Sequence, residues 1–293
     1  MNKKYFVLSL APTGIIPGSH NTQHATLYPK QLAAVLDNIE VDVSAVHLHA
    51  RDEKEQHSGD PARYADYIAT VRERSCDTVV CVSCSGRLDP SFEARSKVLE
   101  LTCDLRPDMG SLTLSSLNFP NSASVNTPDT IIRLAAAMGE RGIKPELEVF
   151  DLGMMNFAHY LIKKGYIEPP YYFNFILGNI AGAQAKASHI DVLLSELPED
   201  SIWNIGGIGL QQSPAIAASL ALGGGVRTGL EDNLWLDDKR TQAARNEDLV
   251  AHAVFVGDKL GRRPMPAAML RERLGFSSQS FANTSSIAEE CMP

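Results

Sequence analysis

The chain lacks most features of secreted, membrane and nucleic-acid-binding proteins. It has only 5 cysteines in 293 residues, too few and too scattered for a disulfide scaffold. Its net charge of −8 argues against a nucleic-acid partner, which normally requires a basic face. No apolar run reaches the ~20 residues that a membrane-spanning helix needs, and the N-terminal apolar run is short for a signal peptide. We therefore expect a cytoplasmic protein without a membrane partner.

Two kinds of cofactor motif are also missing. Cys81 and Cys84 form a Cys-x-x-Cys, but the chain has no second pair, and this one lies in an apolar run rather than at the start of a helix. We interpret both thiols as inert buried side chains. No G-x-G-x-x-G follows the first predicted strand, which weakens a dinucleotide-binding interpretation.

Short β-branched segments alternate with longer amphipathic ones along the whole chain. Strict alternation predicts a parallel sheet with helical crossovers, and about eight such units close naturally into a (β/α)8 TIM barrel. An open doubly wound sheet is the alternative. We expect a single catalytic barrel over residues 1–276 and a polar, Ser-rich tail over 277–293. The predicted strands are 5–10, 43–48, 78–82, 111–114, 146–150, 171–176, 202–205 and 225–228, and the predicted helices include 92–103 and a long last helix over 238–260.

Two histidines end the second predicted strand, in the sequence VHLHARD. Alternate residues of a strand face the same side, so His47 and His49 share a face. In a barrel the carboxyl ends of the strands open into the active site. Two buried histidines need polar partners, and one shared metal ion satisfies both. The alternative is a pair of polar residues on a surface strand.

Carboxylates follow the last predicted strand and lie on the fifth. A site with two histidines usually takes a carboxylate as third ligand, and the sequence VRTGLEDN supplies Glu231 and Asp232 close to Arg227. Adjacent like charges are costly unless one binds a metal and the other pairs with the arginine. A solvated acidic turn is the alternative. Glu146 and Glu148 share one face of the fifth strand, where buried carboxylates are either functional or form a structural ion pair.

Small residues end several other predicted strands. Ser83, Ser85 and Gly86 follow the third strand, and Thr113 lies on the fourth. Such residues allow a substrate carboxylate to approach closely, although ordinary capped turns have the same composition.

Glycine-rich turns flank the last two predicted strands. Gly206 and Gly207 end the seventh strand, and Gly224 lies in the glycine run beside the eighth. Many barrels build a phosphate cradle from the loops after these two strands. The pattern therefore fits a phosphorylated substrate or cofactor such as coenzyme A.

In this order along the chain, the motifs resemble those of one family. VHLHARD, SCSG, PELEVFD and VRTGLEDN are similar to the motifs of the β-keto acid cleavage enzymes, typified by 3-keto-5-aminohexanoate cleavage enzyme. The resemblance extends to about Phe276. It implies a zinc-dependent (β/α)8 barrel that forms homotetramers. Members condense a β-keto acid with acetyl-CoA and split the product into acetoacetate and a new acyl-CoA.

The resemblance also implies roles for individual residues. The implied zinc ligands are His47, His49 and Glu231; Asp232 is the base, Arg227 positions it, Ser83 binds the substrate, and either Glu146 or Glu148 supports the arginine. Two other functions remain open. One is a zinc hydrolase that acts through metal-bound water without CoA, and the other is a barrel that only binds an acidic metabolite or acts as an assembly subunit.

The chain departs from the family pattern at three places. SCSG stands where members often have STGG, and Gly225 stands where a larger polar residue is common. Some members that accept an amino substrate carry an acidic residue just after the first-strand glycine, whereas here Ile15 and Ile16 follow Gly14. We therefore expect a β-keto acid that has no cationic amine and whose far end is neutral or apolar.

Overall fold

Eight parallel strands close into one barrel in a computed structural model that describes residues 4–277. Each strand pairs with the strands before and after it in the chain, and the last pairs with the first through Thr228 and Leu10. This is the predicted (β/α)8 barrel rather than the open sheet. The predicted tail lies outside the described residues except for Ser277. The strands are β1 (Leu8–Leu10), β2 (Ala45–Leu48), β3 (Val79–Val82), β4 (Met109–Thr113), β5 (Lys144–Val149), β6 (Tyr171–Leu177), β7 (Ser201–Gly207) and β8 (Gly225–Thr228).

Helices connect successive strands around the outside of the barrel. Several begin at a side-chain cap: Asp60, Thr127 and Asp151 each accept a hydrogen bond from a backbone N–H of the first turn. Pro29, Pro61 and Pro128 each occupy the first position of a helix, where the missing N–H costs nothing. The helices are α1 (Pro29–Asp37), α2 (Pro61–Arg74), α3 (Phe92–Ser96), α4 (Pro128–Glu140), α5 (Leu152–Lys163), α6 (Ala187–Ser195), α7 (Gln212–Leu222), α8 (Asn246–Lys259) and α9 (Ala267–Arg273).

The predicted last helix, 238–260, is wrong in its first third. The helix begins only at Asn246, because the preceding residues form a closed turn. The carboxylate of Asp237 accepts backbone hydrogen bonds from Thr241 at 3.0 Å and from Gln242 at 2.7 Å. Arg240 lies within this turn at a positive φ of 57°, a conformation that no α-helix contains.

Two other predicted elements are divided. The first strand splits: Tyr5–Phe6 leaves the barrel to pair with Arg263–Pro264, and β1 covers the rest. The predicted helix 92–103 is the short α3, which continues as the 3₁₀ turn Lys97–Glu100. Neither change alters the order of the barrel strands.

The alternation of side chains along the strands separates an apolar core from a polar interior. Residues such as Leu48, Leu147 and Phe173 point outward and pack against the helices. His47 and Glu146 occur on the same strands with the opposite orientation and are fully buried inside the barrel. A second apolar cluster closes the amino end of the barrel; its members include Val7, Val79, Met109, Tyr172, Met265 and Leu270. Within residues 4–277, the polar interior therefore opens toward the carboxyl ends of the strands.

Gly224 tests the packing at the amino end of β8. A Cβ at this position would overlap the indole ring of Trp203. We expect Gly224→Ala to lower the free energy of unfolding by ~1–3 kcal/mol, because overpacking forces neighbouring side chains and backbone to shift. The measurement is the denaturant midpoint.

A matched control is Gly139→Ala, since a Cβ on Gly139 in α4 would meet nothing within 4 Å. This substitution should stabilise the protein by ~0.5–1 kcal/mol. Equal midpoints for the two variants would contradict the packing at Trp203.

Candidate active site

A cavity of about 310 Å³ opens at the carboxyl ends of the barrel strands. One part of its wall is polar and titratable, and the other is mostly apolar. The polar side chains include His49, Ser83, Ser85, Thr113, Glu148, Arg227, Glu231 and Asp232, and the apolar ones include Ile15, Ile16, Leu117, Phe119, Ile176 and Ile208. The structure therefore brings most of the predicted site residues around one space.

His47, on β2, is held from behind by Glu146. Its Nδ1 lies 2.6 Å from the Glu146 Oε2, and Asn174 on β6 donates to the other oxygen at 3.0 Å. Burial lowers the pKa of His47, but the carboxylates of Glu231 and Glu146 outweigh it and raise the pKa to about 9. Burial raises the pKa of Glu146, but His47, with Arg227 and Cys81, outweighs it and lowers that pKa. The two side chains form a buried ion pair that fixes the imidazole ring.

Three donor atoms converge in front of this pair. The Nε2 atoms of His47 and His49 are 3.3 Å apart, and Glu231 Oε1 lies 3.2 Å from the second of them. The other oxygen, Glu231 Oε2, is buried and has no hydrogen-bond partner among the described residues. Two imidazoles and a carboxylate are a common donor set of open zinc sites, and a carboxylate behind a ligating histidine is its usual support. The three side chains therefore fit a zinc ion.

His57 supports His49 from the opposite side. A short hairpin pairs Ala50–Arg51 with His57–Ser58 and places the Nδ1 atoms of the two histidines 3.4 Å apart. Burial and the charges of neighbouring groups lower the pKa of His57 to about 3. A neutral His57 can accept a hydrogen bond and fix the tautomer of His49. No sequence pattern predicted this contact, because it depends on the hairpin register.

Arg227 joins the carboxylates of the site. Its Nη2 lies 2.7 Å from Glu231, its Nε lies 2.7 Å from Asp232, and its Nη1 lies 3.9 Å from Glu148. Burial raises the pKa of Asp232, and Arg227 offsets this only in part. Burial also raises the pKa of Glu231, but Arg227, His49 and His47 together bring it well below its usual value. Glu231 is thus held ionised, while Asp232 is the stronger base of the two.

The two glutamates of β5 have different neighbours. Glu146 faces His47, whereas Glu148 faces Arg227 and accepts a hydrogen bond of 2.6 Å from the Thr113 hydroxyl. Burial raises the pKa of Glu148. Of the two candidates, Glu148 is the one that lies beside the guanidinium.

Two of the small residues after β3 line the cavity, and the third does not. Ser83 and Ser85 belong to the cavity wall. Gly86 instead packs against Arg95, whose Nη1 would lie 2.8 Å from an added Cβ. A close approach of Arg95 therefore accounts for the glycine.

The predicted phosphate glycines lie at opposite ends of the barrel. Gly206 and Gly207 are buried at the end of β7; an added Cβ on Gly206 would lie 3.1 Å from the Arg227 side chain, and one on Gly207 would overlap the backbone of Gln211. Close packing within the protein accounts for both glycines, so their predicted role in a phosphate cradle is wrong. Gly224 precedes β8 and therefore lies at the amino end, where it packs on Trp203. The predicted place of Gly224 in the same cradle is wrong, because the glycine serves packing at the far end of the strand.

Both cysteines of the Cys-x-x-Cys are buried near the site. Cys81 Sγ lies 3.2 Å from Glu146, and burial raises the pKa of this thiol. Burial also raises the pKa of Cys84, to about 12. Both thiols stay protonated, as expected of inert side chains.

Comparison with known proteins identifies the family. The profile of the beta-keto acid cleavage enzymes matches residues 6–276. The chain belongs to this family. The 3-keto-5-aminohexanoate cleavage enzyme of Fusobacterium nucleatum is 36% identical over 222 residues, which cover 75% of this chain and 78% of that protein. The 3-oxoadipate:acetyl-CoA acetyltransferase of Cupriavidus necator is 34% identical over 281 residues, covering 94% of this chain and 96% of the relative.

Solved structures support the fold of this beta-keto acid cleavage enzyme. ObcA, in a binary complex with oxaloacetate, has a TM-score of 0.73 at 18% identity, covering 87% of this chain and 68% of that chain. The family resemblance, the barrel and the predicted class of enzyme are thereby confirmed. Membership favours a cleavage enzyme over a zinc hydrolase or a barrel that only binds metabolites.

The carboxylates of Glu231 and Glu146 around His47 predict a pH-dependent stability in the metal-free protein. The pKa of His47 rises from 6.5 to about 9. The stability that protonated His47 contributes to the folded protein is therefore complete below pH 6.5 and is lost as the pH rises through 9. The loss is on the order of 3 kcal/mol. Denaturant unfolding of chelator-treated protein near pH 6 and near pH 10 measures it. In Glu146→Gln the difference between the two pH values should shrink.

The control is Glu196→Gln. Glu196 forms a half-exposed pair with His159 at 3.7 Å, and such surface pairs contribute little to stability. If Glu146→Gln kept the full pH dependence of the wild type, the proposed origin in the His47 pair would be wrong.

Proposed function

We propose that this cavity converts a β-keto acid and acetyl-CoA into acetoacetate and a new acyl-CoA. The observation that carries the proposal is the junction of two sets of residues: the donor atoms of His47, His49 and Glu231, and the base Asp232 held by Arg227. Acetyl-CoA as second substrate is supported by relatives' names, such as that of the Cupriavidus necator acetyltransferase.

The donor set would bind zinc and one end of the substrate. His47, His49 and Glu231 would hold the ion, which when bound would act as a Lewis acid on the ketone of the β-keto acid. The buried Nη1 of Arg227 has no hydrogen-bond partner among the described residues and can donate to the substrate carboxylate. Ser83 and Thr113, together with Ser85, lie on the same wall and orient this end of the substrate.

Asp232 is the base for carbon chemistry. Its raised pKa makes it a better acceptor for the C2 proton, which lies between the ketone and the carboxylate. The resulting carbanion attacks the acetyl thioester and expels the CoA thiolate. The thiolate then attacks the far ketone, and the bond from C2 to that carbonyl breaks. Asp232 returns its proton to C2, so acetoacetate and the new acyl-CoA leave with atoms and charges balanced.

The residues around the cavity indicate what kind of substrate it accepts. Ile15 and Ile16 line it at the place where an acidic residue would pair with an amine, which supports a β-keto acid without a cationic amine. Glu148, beside Arg227, would position the guanidinium.

We also expect, from the family resemblance, a cytoplasmic homotetramer. In the part of the chain that the structure describes, no helix is both long and apolar enough to cross a bilayer. Light scattering should give four times the mass of the chain.

The test of the proposed function is acetoacetate release from a panel of short β-keto acids, with and without acetyl-CoA. Acetoacetate and acyl-CoA in equal amounts, formed only when acetyl-CoA is present, are the expected result. Breakdown of the keto acid without CoA would favour the hydrolase. Tight acyl-CoA binding without turnover would favour a barrel that only binds a metabolite.

Metal content checks the proposed ligands. We expect His49→Asn and Glu231→Gln to bind zinc at least about tenfold more weakly, because each substitution removes one of three protein donors. His159→Asn, on the outer face of α5, should keep the wild-type content in elemental analysis. Full zinc occupancy in both site variants would rule out this ligand set.

Asp232→Asn should lower kcat by ~10²–10⁴-fold, because general-base catalysis contributes about that much. Activity of the wild type should rise with pH through a pKa above the ordinary 3.8 of an aspartate, since the base must be ionised. The variant should still bind zinc. The exposed Asp238→Asn is the control, and equal rates for the two variants would remove Asp232 from the reaction.

A further inference from the structure

Two arginines line the cavity, and they are bound very differently. Arg227 is fully buried and engaged by Glu231 and Asp232. Arg87 lines the same space but has no ion pair among residues 4–277. It directly follows the SCSG sequence after β3, so the backbone that carries Ser83 also carries this cation.

Arg87 is held in place by two contacts that leave most of its donors free. Its guanidinium lies over the ring of Phe119, 4.0 Å from the centroid, and its Nε donates to Ser122 at 3.2 Å. Both partners belong to the hairpin formed by Leu117–Phe119 and Ser122–Ser124. The two terminal amino groups have no hydrogen-bond partner in the described part of the chain. A guanidinium fixed in this way presents a planar fork suited to a carboxylate.

The surroundings of the Arg87 guanidinium favour the binding of an anion. The wall around it is mixed: Leu117 and Phe119 are apolar, Ser85, Asn121 and Ser124 are polar but uncharged, and none of these residues supplies an anion. Burial lowers the pKa of Arg87, and the charge of Glu231 partly offsets this, so the cation lies within electrostatic reach of the donor set. A partly buried cation without an ion pair is energetically unfavourable, and a bound anion would offset that cost.

We propose that Arg87 binds a second carboxylate, at the far end of a dicarboxylic β-keto acid. The inference rests on the proposed function: the reacting carboxylate would lie near Arg227, and a short methylene chain would extend past Leu117 and Phe119 to Arg87. The proposed substrate has an anionic far end instead of the neutral one expected from Ile15 and Ile16, and it still has no cationic amine. The same fork could instead bind a phosphate of CoA, which the experiment distinguishes.

The test compares two keto acids that differ only in this group. One is 3-oxoadipate, and the other is 6-methyl-3-oxoheptanoate, in which two methyl groups replace the distal carboxylate oxygens. The wild type should prefer the dicarboxylate by at least about tenfold in kcat/KM, because a site built for a polar group rejects the analogue that lacks it. In Arg87→Met this preference should fall by about tenfold or more, and Arg87→Lys should restore part of it.

A matched control is Arg133→Met. Arg133 also lies over a phenylalanine ring, Phe92, at 3.9 Å, but it pairs with Glu93 on the outer surface. This variant should keep the wild-type preference. A change of equal size in both variants would point to a general effect on folding and overturn the assignment.

Other outcomes separate the inference from the proposed function. Turnover of both acids with no preference would overturn the role of Arg87 alone. A raised KM for acetyl-CoA in Arg87→Met, with the keto acid preference unchanged, would assign Arg87 to CoA and also overturn it. If no acid of the wider panel is turned over, the proposed function fails. Calorimetric binding of the two acids to wild type and Arg87→Met still decides the inference: weaker binding of 3-oxoadipate alone in the variant supports it, and unchanged binding overturns it.

Discussion

The buried guanidinium of Arg227 sets the charge state on which the rest of the site depends. Glu231 and Asp232 are adjacent in the chain, and two buried like charges could not both be ionised without a cation between them. Arg227 contacts both at 2.7 Å. It helps to keep Glu231 anionic toward the histidines, while burial leaves Asp232 the more basic of the pair. In the proposed function, one side chain would thus prepare both a metal ligand and a base.

The barrel supplies the geometry that this charge arrangement needs. Because successive side chains of a strand alternate, the strands that bury Leu48 and Leu147 among the helices turn His47 and Glu146 into the interior. Those two side chains meet across the barrel, although they lie 99 residues apart in the sequence. Closing the amino end with apolar side chains leaves the carboxyl end as the open face, so polar groups gather there.

The sequence was informative where local rules carry the placement. Strand alternation and the end of β2 were enough to predict His47 and His49 together. The cost of adjacent charges predicted that Arg227 pairs with one of Glu231 and Asp232, whereas it contacts both. Gly224 was misplaced although it precedes β8, and residues before a barrel strand lie at the closed end. His57 and Arg87 depend on hairpins, and the choice between Glu146 and Glu148 depends on which neighbours cross the barrel. Such contacts are set by register and by distant segments, which a single sequence does not display.

The most direct test of the account follows the carbon atoms. Acetyl-CoA labelled with carbon-13 in both acetyl carbons is incubated with the enzyme and an accepted β-keto acid, and the acetoacetate is examined by NMR. If the C2 carbanion attacks the thioester, both labels appear in the ketone and methyl carbons of acetoacetate, and the acyl-CoA stays unlabelled. Unlabelled acetoacetate, or label released as free acetate while the keto acid breaks down, would contradict carbon–carbon bond formation in this cavity.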